Sequence, residues 1–490
     1  MARIVEIVRE DTIETETLYQ NLLNDIKETV GNLKPPLSPE CCIYRVPKRL
    51  RKVNEAAYTP QVVSIGPLHH GKRTLKKMEN QKVRYLANFL QVVESNKGLE
   101  ELVRHIKRRE TRSNKGLEEL VRQIKRRETS IRQCYAETFD YLSTDQFVKM
   151  VLVDSAFIIE LFLRNFMGKP PADGYDFILD KPWPKHDIKQ DLILLENQLP
   201  FFLLKELYDL AFDPRPTDLP SFLDLTLHYF CKYNKQEKPL PETEDVKHFT
   251  NLLRYFQLPC SSKCTPSKSC FSDCYKHSKT LPRKVMHSVN QLRAFLELPT
   301  HQKPGDKNGR IEHLYSAVEL HEAGVKFQVS QSKCLLDIKF TADGKLEMPC
   351  FKLSDTTESY IRNLMALEQC HYPKDAKICD YIGLMDYLIN TVNDVELLVK
   401  KKIIVNWLGD HNAAAALVNK LGLEILELKG NHYSNIFRDL NAYYEVPHHK
   451  WKATLKHEYF RSPWRGASTT AAIILLVLTA IQTVCSLIGR

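Results

Sequence analysis

Two adjacent histidines and several acids set in apolar sequence are the residues of this 490-residue chain that could carry out acid–base or metal chemistry. His69 and His70 lie in SIGPLHHG, whose proline and glycines predict a turn. The candidate polar partners are Glu79, Asp154, Glu160, Asp191, Glu196 and Asn197. A histidine beside a carboxylate can act as a general base or hold a metal ion. These residues therefore permit a metal-dependent or acid–base hydrolase, although no H-E-x-x-H or comparable spacing is present.

The same acids also admit a structural interpretation, because apolar residues surround them in the sequence. Asp154 and Glu160 interrupt the run MVLVDSAFIIELF, and Asp191, Glu196 and Asn197 belong to DLILLENQLPFFL. A buried charge is costly unless it is paired or hydrogen-bonded. This alternative predicts a polar network inside a helical core, where it fixes the register of the helices.

Four cysteines form a second candidate site with the spacing C-x3-C-x5-C-x3-C. They are Cys260, Cys264, Cys270 and Cys274. Four thiolates at such short range could bind zinc tetrahedrally, but the spacing departs from the C-x2-C pairs of common zinc sites. The alternative is a reduced, cysteine-rich surface loop. No other cofactor is predicted.

Motifs and charge narrow the remaining function classes. The sequence contains no G-x-x-x-x-G-K-[ST], G-x-G-x-x-G or G-x-S-x-G, so nucleotide binding and esterase chemistry have no support. The net charge of +10 is concentrated between residues 97 and 132, where 12 Lys and Arg face 6 Glu. Glu residues interspersed among basic ones are typical of a solvated helix face. Nucleic acid is therefore not an expected partner.

An internal duplication covers residues 95–130. SNKGLEELVRHIKRRETR is followed at once by SNKGLEELVRQIKRRETS, which gives a period of 18 residues. Because an α-helix has 3.6 residues per turn, this period is five whole turns and keeps the apolar positions on one face. The pattern predicts an elongated, partly exposed helical arm, with a coiled-coil contact as the alternative.

Helical periodicity dominates the elements that must position the candidate residues. We expect a helix and linker over residues 1–40 and a folded domain over 41–465, with one helix across Asp145–Phe166 and another across Asp187–Leu210. The fold class is therefore mainly α.

Two features divide the folded domain. Residues 335–353 alternate around Asp343–Gly344 and predict a small β-hairpin insert. A polar loop at 300–310 separates two halves of the domain.

The C-terminal segment 467–488 carries no charge and is rich in Ile, Leu, Val and Ala. As a helix it would be roughly 33 Å long, enough for a ~30 Å hydrocarbon core, and it predicts a single-pass transmembrane tail anchor in contact with lipid. Lys and Arg upstream of this segment predict that the body of the protein lies in the cytoplasm. The sequence does not identify which membrane the segment would enter. The alternative is a buried C-terminal helix.

Several long stretches resemble a plant family called domain of unknown function 247. They include CCIYRVPKRLRKVNEAAYTPQVVSIGPLHHG from Cys41, MVLVDSAFIIELF from Met150, DLILLENQLPFFL from Asp191 and YFRSPW from Tyr459. The resemblance implies a mainly helical single-pass membrane protein without an established enzymatic activity, and a recognition or signalling role for some relatives. The first repeat copy and the cysteine cluster depart from the family pattern.

Taken together, these patterns predict a large multi-helical body with a small β-hairpin insert and a C-terminal transmembrane helix. The leading hypothesis is a non-enzymatic recognition, signalling or scaffold protein with protein partners that the sequence does not name. The competing hypothesis is the hydrolase that uses His69, His70 and the buried acids.

Overall fold

A computed structural model of the chain describes residues 18–32, 36–95, 115–168, 176, 178–212, 219–239, 241–242, 245–260, 314–425, 431–447 and 463–488. Helices account for most of these residues, and two small sheets lie in the second half of the chain. The prediction of a mainly helical body is therefore confirmed.

The helices are α1 (18–31), α2 (Lys48–Val53), α3 (Lys76–Ser95), α4 (Lys115–Gln133), α5 (Thr144–Met167), α6 (Pro182–Asp191), α7 (Phe201–Ala211), α8 (Phe222–Phe230), α9 (Phe249–Gln257), α10 (Ala317–Ala323), α11 (Thr357–His371), α12 (Lys377–Leu388), α13 (Val392–Lys400), α14 (His411–Gly422), α15 (Ser434–Glu445) and α16 (Pro463–Ile488). The strands are β1 (Lys326–Val329), β2 (Lys339–Phe340), β3 (Lys345–Met348), β4 (Phe351–Leu353) and β5 (Ile404–Asn406).

Helix α5 is the centre of the first half of the chain. Ser143 and Gln146 form a capping box at its start, and Gly168 ends it in the left-handed conformation with φ 62°. Its side chains are buried on nearly every side, because α3, α4, α7 and α8 all pack against it. Asp154 and Glu160 are therefore carried into the interior by a helix that is apolar all round.

The predicted helix over Asp187–Leu210 is wrong in its middle. Helix α6 ends at Asp191 and α7 begins only at Phe201. Pro200 disfavours helical geometry in the residue before it, and the Gln198 amide donates to the carbonyls of Leu192 at 2.7 Å and Leu194 at 2.8 Å. A side chain thus replaces the backbone donors that a continuous helix would supply.

The predicted hairpin over 335–353 is present but shorter. Strands β2 and β3 pair antiparallel around Gly344, whose φ is 76°. Strand β1 adds to β3 in parallel, so the sheet order is β1-β3-β2. Pro349 offers no N–H to a ladder, and the chain leaves this sheet there. The residues that follow form β4, which pairs in parallel with β5.

The second repeat copy lies in α4. Its Leu120 and Ile124 are buried against α5, so this half of the predicted arm is packed on the body along one face. Residues 96–114, which include most of the first copy, and the polar loop 300–310 lie outside the described residues.

The prediction of a transmembrane helix at 467–488 is wrong. Helix α16 forms, but no helix in the part of the chain that the structure describes has the length and apolar character needed to cross a membrane. Thr479, Gln482 and Thr483 interrupt the apolar residues of α16. The contact with lipid and the cytoplasmic position of the body stay predictions. The buried alternative is not observed either, because residues 470–484 are exposed.

Candidate functional site

The candidate acids act mainly on one extended backbone segment, residues 61–66, which belongs to no strand. The Asp191 carboxylate accepts hydrogen bonds from the N–H groups of Gln61 at 2.8 Å, Val62 at 2.7 Å and Val63 at 2.8 Å. Burial raises the pKa of Asp191 to about 6, and the three N–H donors oppose that rise. Asp191 is therefore mostly ionised at neutral pH and holds the segment as an anion.

Asn197 continues this pattern two residues further along the segment. Its Oδ1 accepts from the Ile65 N–H at 2.7 Å, and its Nδ2 donates to the Val63 carbonyl at 3.0 Å. The same Nδ2 also donates to the Asp191 carbonyl at 3.0 Å. Asn197 and Asp191 together supply the bonds that a neighbouring strand would otherwise make.

Asp154 holds the end of the segment from helix α5. Its Oδ2 accepts from the Gly66 N–H at 2.8 Å, while its Oδ1 pairs with the Lys82 ammonium at 2.5 Å. Lys82 also donates to the Ser64 carbonyl at 2.9 Å and pairs with Glu79 at 2.7 Å. Burial disfavours the charged form of Lys82, but the carboxylates of Asp154 and Glu79 outweigh the effect of burial and raise the pKa of Lys82. Burial raises the pKa of the Asp154 carboxyl, and Lys82 and the Gly66 N–H oppose that rise. Both side chains of the pair are bonded to this turn.

Glu196 fixes the two ends of the stretch 46–69. Its Oε1 accepts from the Val46 N–H at 2.8 Å, and its Oε2 lies 3.0 Å from His69 Nε2 and in an ion pair with Arg51. Burial favours the neutral acid, but the contacts with His69, Arg51 and Val46 prevail and lower the pKa of Glu196. Burial likewise lowers the pKa of His69 despite the neighbouring carboxylate.

The two predicted histidines do not form a catalytic or metal centre in the described structure. His69 is buried in the 3-10 turn Pro67–His69 and meets one acid, Glu196, rather than two. His70 closes the same turn and has no described ion pair. Among the described residues, no three His, Cys, Asp or Glu side chains are grouped so that they could hold a metal ion. The described residues around His69 and His70 therefore form no open acid–base site of the kind that the hydrolase hypothesis requires.

Glu160 belongs to a separate buried cluster. It pairs with Arg164 at 2.7 Å, and Arg164 pairs with Asp176 at 2.7 Å. Asp176 also accepts from the Tyr85 hydroxyl at 2.9 Å, and the Arg164 guanidinium lies over the Tyr85 ring. The predicted polar residues thus form separate networks. Asp191, Asn197 and Asp154 bond the segment 61–66 directly, whereas Glu196 and Glu160 do not.

Sequence reasoning missed three basic partners, Lys82, Arg51 and Arg164. Lys82 did carry a signal, because it lies in register with Met78, Tyr85 and Phe89 on the buried stripe of α3. A lysine in an apolar stripe needs an acid opposite it, and Asp154 provides that charge. Arg51 lies in a polar sequence and carried no comparable signal.

The cysteine cluster falls mostly outside the described residues. Cys260 is described and exposed, whereas Cys264, Cys270 and Cys274 are not described. Zinc binding there stays a prediction.

An open groove lies away from the buried networks, and the sheet of β4 and β5 forms its floor. Phe351 and Leu353 point into the core, so Lys352 between them points outward. Lys352 pairs across the sheet with Val405, and Trp407 follows Val405 on the same face. Trp407 is 64% exposed, with the Lys352 ammonium 2.8 Å from the centre of its ring.

The walls of this groove are aromatic and basic. The rings of Tyr233 and Tyr360 stack with their centroids 4.9 Å apart, and the Gln257 amide donates to the Tyr360 hydroxyl at 2.9 Å. The groove encloses about 600 Å³, and the described residues that line it include four lysines, Lys232, Lys235, Lys333 and Lys352, but no Asp, Glu or His. A second cavity of about 560 Å³ between α2 and α14 is lined in part by Lys48, Arg49, Lys52 and Lys420.

The fold and the described sites define a mainly helical protein. Its buried acids accept hydrogen bonds from backbone N–H groups, and an open groove lined by lysines faces solvent. The chain belongs to the plant family DUF247, described as "plant protein of unknown function", whose profile matches residues 43–478. The predicted resemblance is therefore confirmed, and the function of the family is not known.

Two Arabidopsis thaliana proteins are similar over nearly the whole chain. UPF0481 protein At3g47200 is 27% identical over 481 residues, which cover 96% of this chain and 91% of the relative. Putative UPF0481 protein At3g02645 is 23% identical, with 90% of this chain and 89% of the relative covered. No solved structure matches the chain.

The turn at Gly66 gives a test of the network. Gly66 has φ 72°, and a Cβ atom there would lie 2.6 Å from the Gln198 carbonyl oxygen, whereas Gly71 has φ 79° and open space around it. We expect Gly66→Ala to lower the free energy of unfolding by roughly 3 kcal/mol or more, because strain and overlap add. Gly71→Ala is the matched control and should cost only about 1 to 2 kcal/mol of strain. Equal losses in urea denaturation would contradict the packing described for Gly66.

The His69–Glu196 contact predicts a pH dependence. The pKa of His69 is lowered in the folded protein, so its contribution to stability is present above about pH 6.5 and is lost as the pH falls. His69→Gln should therefore be less stable than the native chain near neutral pH, and the difference should shrink by up to about 2 kcal/mol near pH 5. Denaturation of both proteins across this range measures the difference. A difference that grows on acidification would show a charged His69 paired with Glu196.

Proposed function

We propose that the chain is a non-enzymatic recognition protein whose helical body binds a protein partner in the groove lined by Trp407, Tyr233, Tyr360 and the four lysines. The observation that carries this proposal is the exposure of Trp407, directly after strand β5, in an open cavity. Tryptophan is enriched among the residues that dominate binding energy at interfaces.

The buried acids support the non-enzymatic part of the proposal. Asp154, Asp191 and Glu196 are bonded to backbone N–H groups and to basic side chains, so none presents a free lone pair to a substrate in an open site. In the part of the chain that the structure describes, no His, Asp or Glu lines the groove. Its chemistry is that of binding, with cations, hydroxyls and aromatic rings.

The size of the groove supports a polypeptide segment as the occupant. A volume of about 600 Å³ falls within the range of ligand pockets and accommodates a few side chains rather than a domain. The described cysteines are free thiols, which suits a reducing compartment, and we place the body in the cytoplasm as part of this proposal.

Affinity capture with paired tryptophan variants tests the proposal. Trp407→Ala removes the exposed ring from the groove, and Trp183→Ala removes a ring of similar exposure, 55%, that does not line it. We expect proteins captured by the native chain to fall roughly tenfold or more with Trp407→Ala, as for the loss of an interface anchor, and to remain with Trp183→Ala. Quantitative mass spectrometry of the captured proteins is the measurement. If no captured protein depends on Trp407 more than on Trp183, the groove is not the recognition surface.

A further inference from the structure

We infer that the groove selects an acidic segment of its partner, in which carboxylates flank an apolar side chain. This inference rests on the proposed function and adds the chemical class of the ligand. Among the described residues, four lysines line the groove and no carboxylate does. The acids nearest in sequence to the lining residues are Glu237, Asp337, Asp355 and Glu358, none of which lines it. Glu358 is already paired with Arg362 and Lys420.

Most of this positive charge is available to a ligand. Lys333 pairs with Glu237 at 2.5 Å, but both side chains are largely exposed, and such surface pairs contribute little and exchange readily. The Lys352 ammonium lies over the Trp407 ring. It is therefore next to the position that an apolar side chain of the ligand would occupy against Trp407. Lys232 lies in the 3-10 turn Cys231–Tyr233, and Lys235 lies two residues after it. Neither lysine has an ion pair within the described part of the chain.

Two serines add hydrogen-bond donors to the groove. Ser330 Oγ accepts from the Ser332 N–H at 3.1 Å, and Ser332 Oγ accepts from the Cys334 N–H at 3.2 Å. Because both oxygens already accept a backbone bond, each hydroxyl hydrogen can be donated to an anion. Cations and hydroxyl donors with no carboxylate among them are complementary to carboxylates, which only accept.

The aromatic geometry favours a peptide over a single-stranded nucleic acid. A nucleic-acid groove offers a series of open ring faces on which successive bases stack. Here Tyr233 and Tyr360 stack on each other, Lys352 lies over one face of Trp407, and Tyr360 is only partly exposed. The groove thus offers a single apolar anchor surrounded by cations, which fits one apolar side chain between acidic neighbours.

Fluorescence anisotropy with a short labelled peptide of Glu and Leu residues tests the inference on the full-length chain. A peptide with Gln in place of Glu measures the part of binding that does not need charge. We expect the Glu peptide to bind at least tenfold more tightly than the Gln peptide, and its affinity to fall as salt rises. Equal affinity of the two peptides would overturn the inference.

Matched charge reversals locate the binding. Lys232→Glu/Lys235→Glu changes two exposed lysines of the groove, and Lys48→Glu/Lys52→Glu makes the same charge change in the second cavity. The groove variant should lose at least tenfold in affinity for the Glu peptide, while the control variant should bind as the native chain does. Circular dichroism and the melting temperature show whether each variant is folded, and Lys232→Gln/Lys235→Gln repeats the test with the charges removed rather than reversed.

Two further outcomes separate this inference from the proposed function. If captured partners depend on Trp407 but neither they nor the Glu peptide respond to reversal of Lys232 and Lys235, the groove is a recognition surface and its selection of acidic segments is refuted. If the Glu peptide binds as expected but no partner depends on Trp407, the inference stands and the proposed function falls. Tighter binding of a labelled single-stranded RNA that competes with the peptide would overturn the peptide assignment.

Discussion

The backbone amides of Val63, Ile65 and Gly66 are buried without a neighbouring strand, and side chains have to satisfy them. Asp191, Asn197 and Asp154 provide the acceptors. A buried amide that loses its partner costs about 1–3 kcal/mol, so several such bonds along one segment amount to a large part of the stability of a typical domain. This requirement explains why acids and an amide are placed in otherwise apolar sequence.

The buried network is separate from the groove that we propose as the recognition surface. The acids that hold the segment 61–66 do not line the groove, and the lysines and Trp407 of the groove take no part in the buried network. Helix α11 contributes to both regions. Its Asn363 accepts from the Leu195 N–H at 2.9 Å and donates to the Ala57 carbonyl at 2.7 Å, while Tyr360, one turn earlier, lies in the wall of the groove. A groove supported in this way needs little reorganisation when it binds, which reduces the entropic cost of association.

The sequence predicted the features that depend on residues close together in the chain. Acids inside MVLVDSAFIIELF are buried and bonded because α5 is apolar all round, and the Asp343–Gly344 turn is formed because only its own residues are needed. The break between α6 and α7 was missed because it depends on side chains that bond distant backbone, such as Asn197 with Val63 and Ile65. The groove was missed because Lys352 and Trp407 come from strands that meet only in the folded chain. Apolar composition alone led to the wrong prediction of a membrane-crossing helix.

Native-state hydrogen exchange tests the central claim most directly, because it reports whether each amide of the segment is bonded. If Asp191, Asn197 and Asp154 hold the segment as described, the amides of Val62, Val63, Ile65 and Gly66 will exchange as slowly as those in the middle of α5. They will also exchange much faster in Asp191→Ala, with the largest change at Val62 and Val63. Rapid exchange of these amides in the native chain, at the rate of exposed loops, would contradict the account.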